Sequence, residues 1–391
     1  MNIVSIIGAS GAGLYLSIFI KKKHPEWRVM VFDKNKKAGR KVLATGNGRC
    51  NLLNMNSKPE DYNHPIYMKP ILEKYPFGEL QFRLAELGVI LTNEGDLVYP
   101  LTNSASSYVN LLEEKARQLG VEFVFESEFI DYSVGEIIEF KTSSGSYSCD
   151  KLIFATGGKS QSKLGSDGKL FPLLGKHGYQ IVPLQPSLCP IKVREKVKPL
   201  SGIRHQAKVH VSASGVAIHE EEGEVLFKDD GLSGIVIFNC SAYINRLGNP
   251  DVEISLDLFP KVQFATLVKD LEDSAKKNPG FFLDAYLVPP LKDYVLSVAK
   301  VDSKKPIEKK EVFKIAKAIK DLRFSFAGSY GFENSQVTMG GISLTEVGED
   351  LSSKRENGVY FAGEMLDVDG LCGGHNLGWC LISSLLIADS L

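Results

Sequence analysis

Residues 3–33 read IVSIIGASGAGLYLSIFIKKKHPEWRVMVFD: a strand, a glycine turn, a helix and a second strand. Asn2 to Ile7 is mostly apolar, as a strand buried on both faces must be. Gly8-Ala9-Ser10-Gly11-Ala12-Gly13 follows it. A helix then runs to Lys21-Lys22-Lys23, whose cations suit the negative end of the helix dipole, and His24-Pro25 stops it. Val29 to Phe32 is the next strand, ending at Asp33. This βαβ unit places the chain in the α/β class, with a Rossmann-like domain built on a parallel sheet.

Gly8 permits the tight turn and Gly13 the close approach of helix to strand, while free N–H groups at the helix N-terminus offer partial positive charge to a pyrophosphate. Ser10 stands where the second glycine of G-x-G-x-x-G would be, with Gly11 beside it. A plain strand-to-helix turn could use the same glycines. The context favours a nucleotide, because Asp33 lies twenty residues beyond Gly13 at the end of the next strand. A carboxylate there accepts hydrogen bonds from a ribose diol and repels a 2′-phosphate. The adenosine expected here therefore belongs to NAD or FAD and not to NADP, with Lys34 next to it.

Outward from this unit, glycine recurs at places of the same kind. The chain holds 36 glycines in 391 residues, above the usual share of about 7%. Gly39-Arg40-Lys41 and Thr45-Gly46-Asn47-Gly48-Arg49-Cys50-Asn51 form a loop whose backbone and cations can wrap an anion. Ala155-Thr156-Gly157-Gly158 ends a strand at Leu152 to Phe154, where a parallel sheet presents its ligand crevice. Gly358 to Glu364 is another strand ending in glycine and a carboxylate that can bind a polyol. It continues through Gly370-Leu371-Cys372-Gly373-Gly374-His375-Asn376 into a helix from Leu377, whose N-terminus can stabilise negative charge on a reduced flavin.

The remaining chain fills in the organisation. Ser104 to Gly120 is a helix by its apolar spacing, and Val121 to Phe125, Glu136 to Thr142 and Leu152 to Phe154 are strands, with Ser143-Ser144-Gly145 as the turn of a hairpin between the first and last of these. Pro183, Pro186 and Pro190 mark the exit from the first domain. Short strands are expected at Ala207 to Val211, Gly215 to His219, Ile235 to Phe238 and Val252 to Leu258. Residues 261–321 are helical and carry 13 lysines against 9 acidic residues, a solvated face or a surface for an acidic partner. Leu322 to Phe326 is a strand. The expected organisation is a discontinuous domain at 1–186 and 336–391, a β-rich insert at 187–260 and 322–335, and a helical insertion at 261–321.

Composition removes other classes. With 43% hydrophobic and 24% charged residues, the chain is no disordered polymer. Its 46 basic and 47 acidic residues create no global field, so neither nucleic acid nor a membrane is an expected partner. The apolar run Leu381 to Ala388 is far short of the roughly 20 residues that span a bilayer. No basic segment precedes Ile3, so the start reads as a strand and not as a signal peptide. Six scattered cysteines show no C-x-x-C and no zinc spacing, so no metal is expected, and a reduced, cytoplasmic setting fits.

Together, GRKVLATGNGRCN (39–51), ATGG (155–158), GEVLFKDDGLSG (223–234), QVTMGGISL (336–344) and GVYFAGEMLDVDGLCGGHN (358–376) resemble the BaiN-type flavoproteins, the aminoacetone oxidase family of the glutathione-reductase-like group. The resemblance runs in order over nearly the whole chain. It implies an FAD domain interrupted by a barrel with a helical insertion. It also implies that Gly8, Gly13 and Asp33 hold the adenosine half of FAD, with Arg40 and Lys41 lining the nearby channel. Gly46, Asn47 and Gly48 would approach the flavin, Gly363 and Glu364 the ribityl-phosphate side, and Gly373, Gly374 and Asn376 the ring edge. Cys372 and His375 stand where similar proteins more often have a hydroxyl residue and a tyrosine.

The function expected from this is FAD-dependent oxidation–reduction. NAD(P)H would visit the flavin transiently, since no second glycine fingerprint exists, and a small unsaturated or carbonyl compound would be reduced. The insert would serve as a lid that selects it. His375 is the candidate proton donor, against a plain packing role. No cysteine partners Cys372 at short spacing, which argues against disulfide reduction. Two rivals are an amine oxidase that uses oxygen, and an RNA- or protein-associated flavoprotein whose Lys-rich insert binds the partner.

Overall fold

In the computed structural model, residues 2–248, 251–302 and 307–391 are described. Residues 303–306 of the Lys-rich segment therefore lie outside the described residues. The chain divides into two units, Met1–Pro186 with Phe332–Leu391, and Ser187–Gly331.

The first unit is built on Ile3–Ile7, which pairs in parallel with Arg28–Phe32 on one side and Lys151–Phe154 on the other, Ile6 standing between Val31 and Ile153. Val359–Phe361 and Glu122–Val124 complete a five-stranded parallel sheet as its edges. Both faces of the central strands are buried, with Val4, Ile6, Val31, Ile153 and Phe361 removed from solvent. The helix Gly11–Lys23 packs against the last helix, His375–Ser390, whose Ser384 hydroxyl donates to Ala12 O at 3.1 Å. The apolar end of the chain is thus a core helix, buried almost all round as its sequence demands. No helix among the described residues is long and apolar enough to cross a membrane.

The Ser143-Ser144 turn sits differently from expectation. It joins Ile138–Thr142 to Gly145–Cys149 in an antiparallel meander begun by Phe129–Val134, while Glu122–Val124 and Lys151–Phe154 belong to the parallel sheet. Gly145–Cys149 escapes a search for apolar runs because its alternate residues are serines that face water.

The second unit is a closed barrel with strands in the order Ile191–Val193, Gly231–Ser233, Val216–Phe227, Arg204–Ala213, Val252–Asp257 and Leu322–Ser329. Val209, Val211, Val225, Ile254, Leu256 and Phe324 alternate inward and fill it. Ile235 to Phe238, expected as a strand, is instead the first turn of the helix Ile235–Arg246. β-Branched residues favour strands only weakly, and here burial of Val236, Ile237, Cys240 and Ile244 along one helical face prevails. Three helices, Phe264–Lys277, Pro289–Ala299 and Lys309–Lys320, lie between the adjacent barrel strands Val252–Asp257 and Leu322–Ser329. An insertion between neighbours leaves the barrel's pairing intact. Leu267, Leu271, Val295, Ile315 and Ile319, all on these helices, are buried.

The fold is therefore a discontinuous Rossmann-like domain interrupted by a β-barrel that carries a helical insertion.

Candidate functional site

The carboxyl ends of the parallel strands bring the glycine stretches of the first unit to one edge of the sheet, where open α/β sheets hold ligands. Gly8 has φ +111°, and a Cβ there would lie 2.4 Å from Ala155 O. A Cβ on Gly13 would lie 1.8 Å from Gly8 O. Neither position admits another residue without moving the backbone. Ser10 precedes the helix in extended conformation, and its side chain caps none of the first-turn N–H groups. No acidic residue occupies that turn, so its positive end stays open to an anion.

Asp33 ties the turn to the next strand. Its Oδ2 accepts from Ala9 N at 2.8 Å, and its Oδ1 accepts from Asn35 N at 2.8 Å and Asn35 Nδ2 at 2.9 Å. Three of about four lone-pair positions are filled, which leaves room for a hydroxyl. Lys34 pairs with Asp167 at 2.8 Å.

The loop Gly39–Asn51 divides into parts that face the crevice and parts that do not. Gly39 donates to Ala9 O at 2.7 Å and lies against Val109, which a Cβ would approach to 2.5 Å. Arg40 is exposed and donates to Asn35 Oδ1 at 2.9 Å. Lys41 Nζ meets Glu364 Oε2 at 2.6 Å, both side chains 17% exposed, and Glu364 Oε1 accepts from Thr338 N at 2.8 Å. The pair is neutral overall, so Glu364 can border a diphosphate without repelling it. Gly46, Asn47 and Gly48 share left-handed backbone, with φ of +55°, +54° and +83°, and the first two are exposed. Arg49 instead turns to Glu94 at 3.0 Å, bonds Asn103 and lies over the Tyr99 ring. Its charge is compensated by Glu94. Cys50 is fully buried, and burial pushes its thiol up to about 12, which makes it a packing residue. Asn51, with its amide oriented to satisfy its neighbours, donates to Leu53 O and Val98 O and accepts from Gly374 N.

Ala155 continues the sheet by donating to Ile7 O at 2.8 Å, and Thr156 Oγ1 points at the Met365 sulfur. Gly157 has φ +75°, and a Cβ on Gly158 would strike Thr338 Oγ1 at 2.3 Å. Gly363 is fixed by the last helix, donating to Ser383 Oγ at 2.9 Å and accepting from Trp379 Nε1 at 3.0 Å. At that helix's start Gly373 and Gly374 have φ of +122° and +94°. Asn54 Nδ2 donates to Gly373 O at 3.1 Å. Asn376 clasps Gly370 both ways, at 2.9 and 2.8 Å, and Leu377 faces Gly11.

His375 is 5% exposed. Its Nδ1 lies 3.0 Å from Ser57 Oγ, its Nε2 4.0 Å from Asp61 Oδ2, and its ring stands edge-on to Tyr62. Burial lowers its pKa, and Asp61 opposes that shift. Burial likewise pushes the Cys149 and Cys380 thiols up to about 12. No cluster of three or more ligating side chains able to hold a metal occurs among the described residues.

Asn35, Asn54, Ser57, Asp61 and Thr338 organise this region, and short-range sequence patterns do not single them out. Their partners lie up to 319 residues away, so pairing alone reveals them.

Fold and site together define a flavoprotein of the Rossmann type: the Gly8–Gly13 cradle, the open helix N-terminus, Asp33 and the neutralised Glu364 fit an FAD. The chain belongs to the HI0933-like family, whose Rossmann-domain model matches residues 2–390, and it is an FAD-dependent oxidoreductase. A 3-dehydro-bile acid delta(4,6)-reductase of Clostridium scindens is 28% identical, over 99% of this chain and 98% of that protein. A ribosomal RNA dihydrouridine synthase of Haemophilus influenzae is 27% identical, over 99% and 97%. Among solved structures, the open conformation of a flavocytochrome c3 fumarate reductase has a TM-score of 0.51 at 15% identity, covering 99% of this chain and 77% of that one, a likeness of fold.

Proposed function

We propose that the protein is an FAD-dependent reductase that uses NAD(P)H to saturate a carbon–carbon double bond conjugated to a carbonyl. One observation carries this reading: two relatives matched over nearly their full lengths bear names that denote this chemistry on unlike substrates. A 3-dehydro steroid with 4,6 unsaturation is a conjugated ketone, and uridine has a double bond conjugated to its C4 carbonyl. Bound FAD supplies the two-electron step, in which NAD(P)H gives up a hydride, the double bond gains that hydride and a proton, and NAD(P)+ leaves.

The chain's own residues bind and orient. Gly8, Gly13 and Asp33 hold the adenosine half, Arg40 and Lys41 line the channel beside it, and Gly363 and Glu364 take the ribityl-phosphate side. Gly46, Asn47, Gly48, Gly373, Gly374 and Asn376 approach the ring. His375, linked to Ser57 and facing Asp61, carries the proton. Its lowered pKa favours the neutral form near pH 7, so proton delivery is favoured as the pH falls.

A second reading shares the reaction and changes the acceptor to a uracil within ribosomal RNA. It is favoured by synthases of that name in Haemophilus influenzae and Escherichia coli, the latter 26% identical. It runs against the balanced charge of the chain, which would leave recognition to local contacts.

Spectra of the purified protein under argon test both. A yellow protein bleached by NADH or NADPH, and recoloured by a steroid dienone, supports the first reading. Recolouring by unmodified ribosomal RNA, and not by the dienone, replaces it with the second. Bleaching by amines alone would make it an amine oxidase, and a colourless protein that takes up no FAD removes every version.

A further inference from the structure

Ser166 is 4% exposed, and its hydroxyl has no hydrogen-bond partner among the described residues. Leaving a buried hydroxyl unsatisfied is destabilising, and native chains rarely retain one where nothing arrives to meet it. Its position shows what could arrive. A Cβ built on Gly157 would lie 3.3 Å from Ser166 Oγ and 3.4 Å from Glu364 Oε2. The hydroxyl and the carboxylate therefore border one point above a residue that has no side chain and whose φ of +75° disfavours any.

That point belongs to the dinucleotide crevice. Gly157 follows the strand Lys151–Phe154, the direct neighbour of Ile3–Ile7, and Gly8 packs against Ala155 and Thr156 so closely that a Cβ would overlap them. The segment that carries Ser166 is fastened on the adenosine side as well. Lys34 pairs with Asp167 at 2.8 Å, and Asn35 fills the space where Gly165 would carry a Cβ, 2.5 Å away. Lys34 and Asn35 directly follow Asp33. Ser166 is thus held between the carboxylate expected to meet the ribose and the one beside Gly157.

We infer that Ser166 is a cofactor ligand, whose hydroxyl bonds an oxygen of the adenosine diphosphate half of FAD. A serine hydroxyl both donates and accepts, so a phosphate oxygen or a ribose hydroxyl satisfies it. The inference rests on the FAD reading of this crevice and adds a residue that lies outside the glycine stretches and the resemblance.

Ser166→Ala separates a ligand from a structural residue. Removing an unsatisfied buried hydroxyl leaves the cofactor-free protein melting at or above the wild-type temperature, while FAD and ADP, titrated by calorimetry into that apoprotein, bind about 5- to 20-fold more weakly. The rise in melting temperature on adding FAD shrinks accordingly. AMP as a third probe locates the bond: an equal loss assigns it to the ribose or first phosphate, and a loss confined to ADP and FAD to the second phosphate. Wild-type affinity for both FAD and ADP in the variant overturns the inference, as does a weaker affinity accompanied by a lower apoprotein melting temperature. A wild-type protein that binds ADP and no FAD would refute the flavin reading while the ADP titration still decides the role of Ser166.

Discussion

The Gly8–Gly13 turn and the corner around Gly157 and Glu364 border the same crevice and are made in opposite ways. The turn is local: six consecutive residues shape it, and its two close approaches, of Gly8 to Ala155 and of Gly13 to Gly8, use backbone alone. The corner is assembled from four segments far apart in sequence. Lys41 reaches Glu364 across 323 residues, Thr338 N binds the other carboxylate oxygen, and Gly158 makes room for Thr338. Backbone geometry is unforgiving, whereas a side-chain pair can relax. The turn should therefore be the more brittle of the two.

The largest effect is expected from Gly13→Ala, because a methyl 1.8 Å from Gly8 O displaces either helix or strand. Overpacking of this kind costs about 3 kcal/mol or more, roughly a 100-fold loss of FAD affinity. Flavin retained per mole of purified protein measures it. Retention at the wild-type level would show that the cradle is not where FAD binds. At the corner, Lys41→Met leaves Glu364 without its cation beside a diphosphate. Both groups keep 17% exposure, so the penalty of a lone buried charge is partly screened, about 1–2 kcal/mol and roughly tenfold in FAD affinity. Adding Glu364→Gln to Lys41→Met should recover part of that loss, because the uncompensated charge is gone. A double variant worse than the single would mean that the contact of Glu364 with the ribityl-phosphate side outweighs the cost of its uncompensated charge.

The same contrast explains how much could be read in advance. The βαβ unit, the cradle, Asp33 and the strand-end glycines follow from neighbouring residues, and the barrel with its helical insertion came through the resemblance. Arg49 and Cys50 share the glycine loop with Gly46 to Gly48, yet one turns to Glu94 and the other into the core. Residue type and proximity in the chain do not reveal which way a side chain leaves a loop. Ile235 to Phe238 failed for a related reason: four β-branched and aromatic residues carry no record of the later Cys240 and Ile244 that extend their buried face along a helix. Asn54 and Ser57 matter only through partners more than 300 residues distant, and Thr338 through Lys159, 179 residues before it, and Glu364, 26 residues after it.

On stability, His375 gives a smaller effect that depends on pH. Its folded pKa lies below the usual 6.5 because burial disfavours the cation, with Asp61 opposing. The unfolded chain therefore binds this proton first on acidification. The stability that His375 contributes is whole above about pH 6.5 and is lost as the pH falls toward the folded value. Melting curves of the wild type and of His375→Gln, compared between pH 8 and pH 5, should converge as the pH falls. A constant gap would mean that the imidazole does not titrate with folding. If His375 also carries the proton, the variant reoxidises about 100-fold or more slowly with the unsaturated acceptor, while bleaching by NAD(P)H is unchanged.

The smallest effect belongs to Arg49→Ala, which asks whether a cation in the glycine loop counts merely by being there. Arg49 draws Glu94 below the usual carboxylate range through their hydrogen bonds, and both groups lie at the surface. Solvent-exposed pairs of this kind contribute little, and Lys41, not Arg49, meets the carboxylate of the corner. FAD affinity should stay within about twofold of the wild type, against roughly tenfold for Lys41→Met. Equal losses for the two would mean that Arg49 leaves Glu94 when the cofactor binds. The glycine loop would then act as a charged clamp whose two cations both close on the anion, and the distinction between the brittle turn and the relaxing corner would have to include a third, moving part.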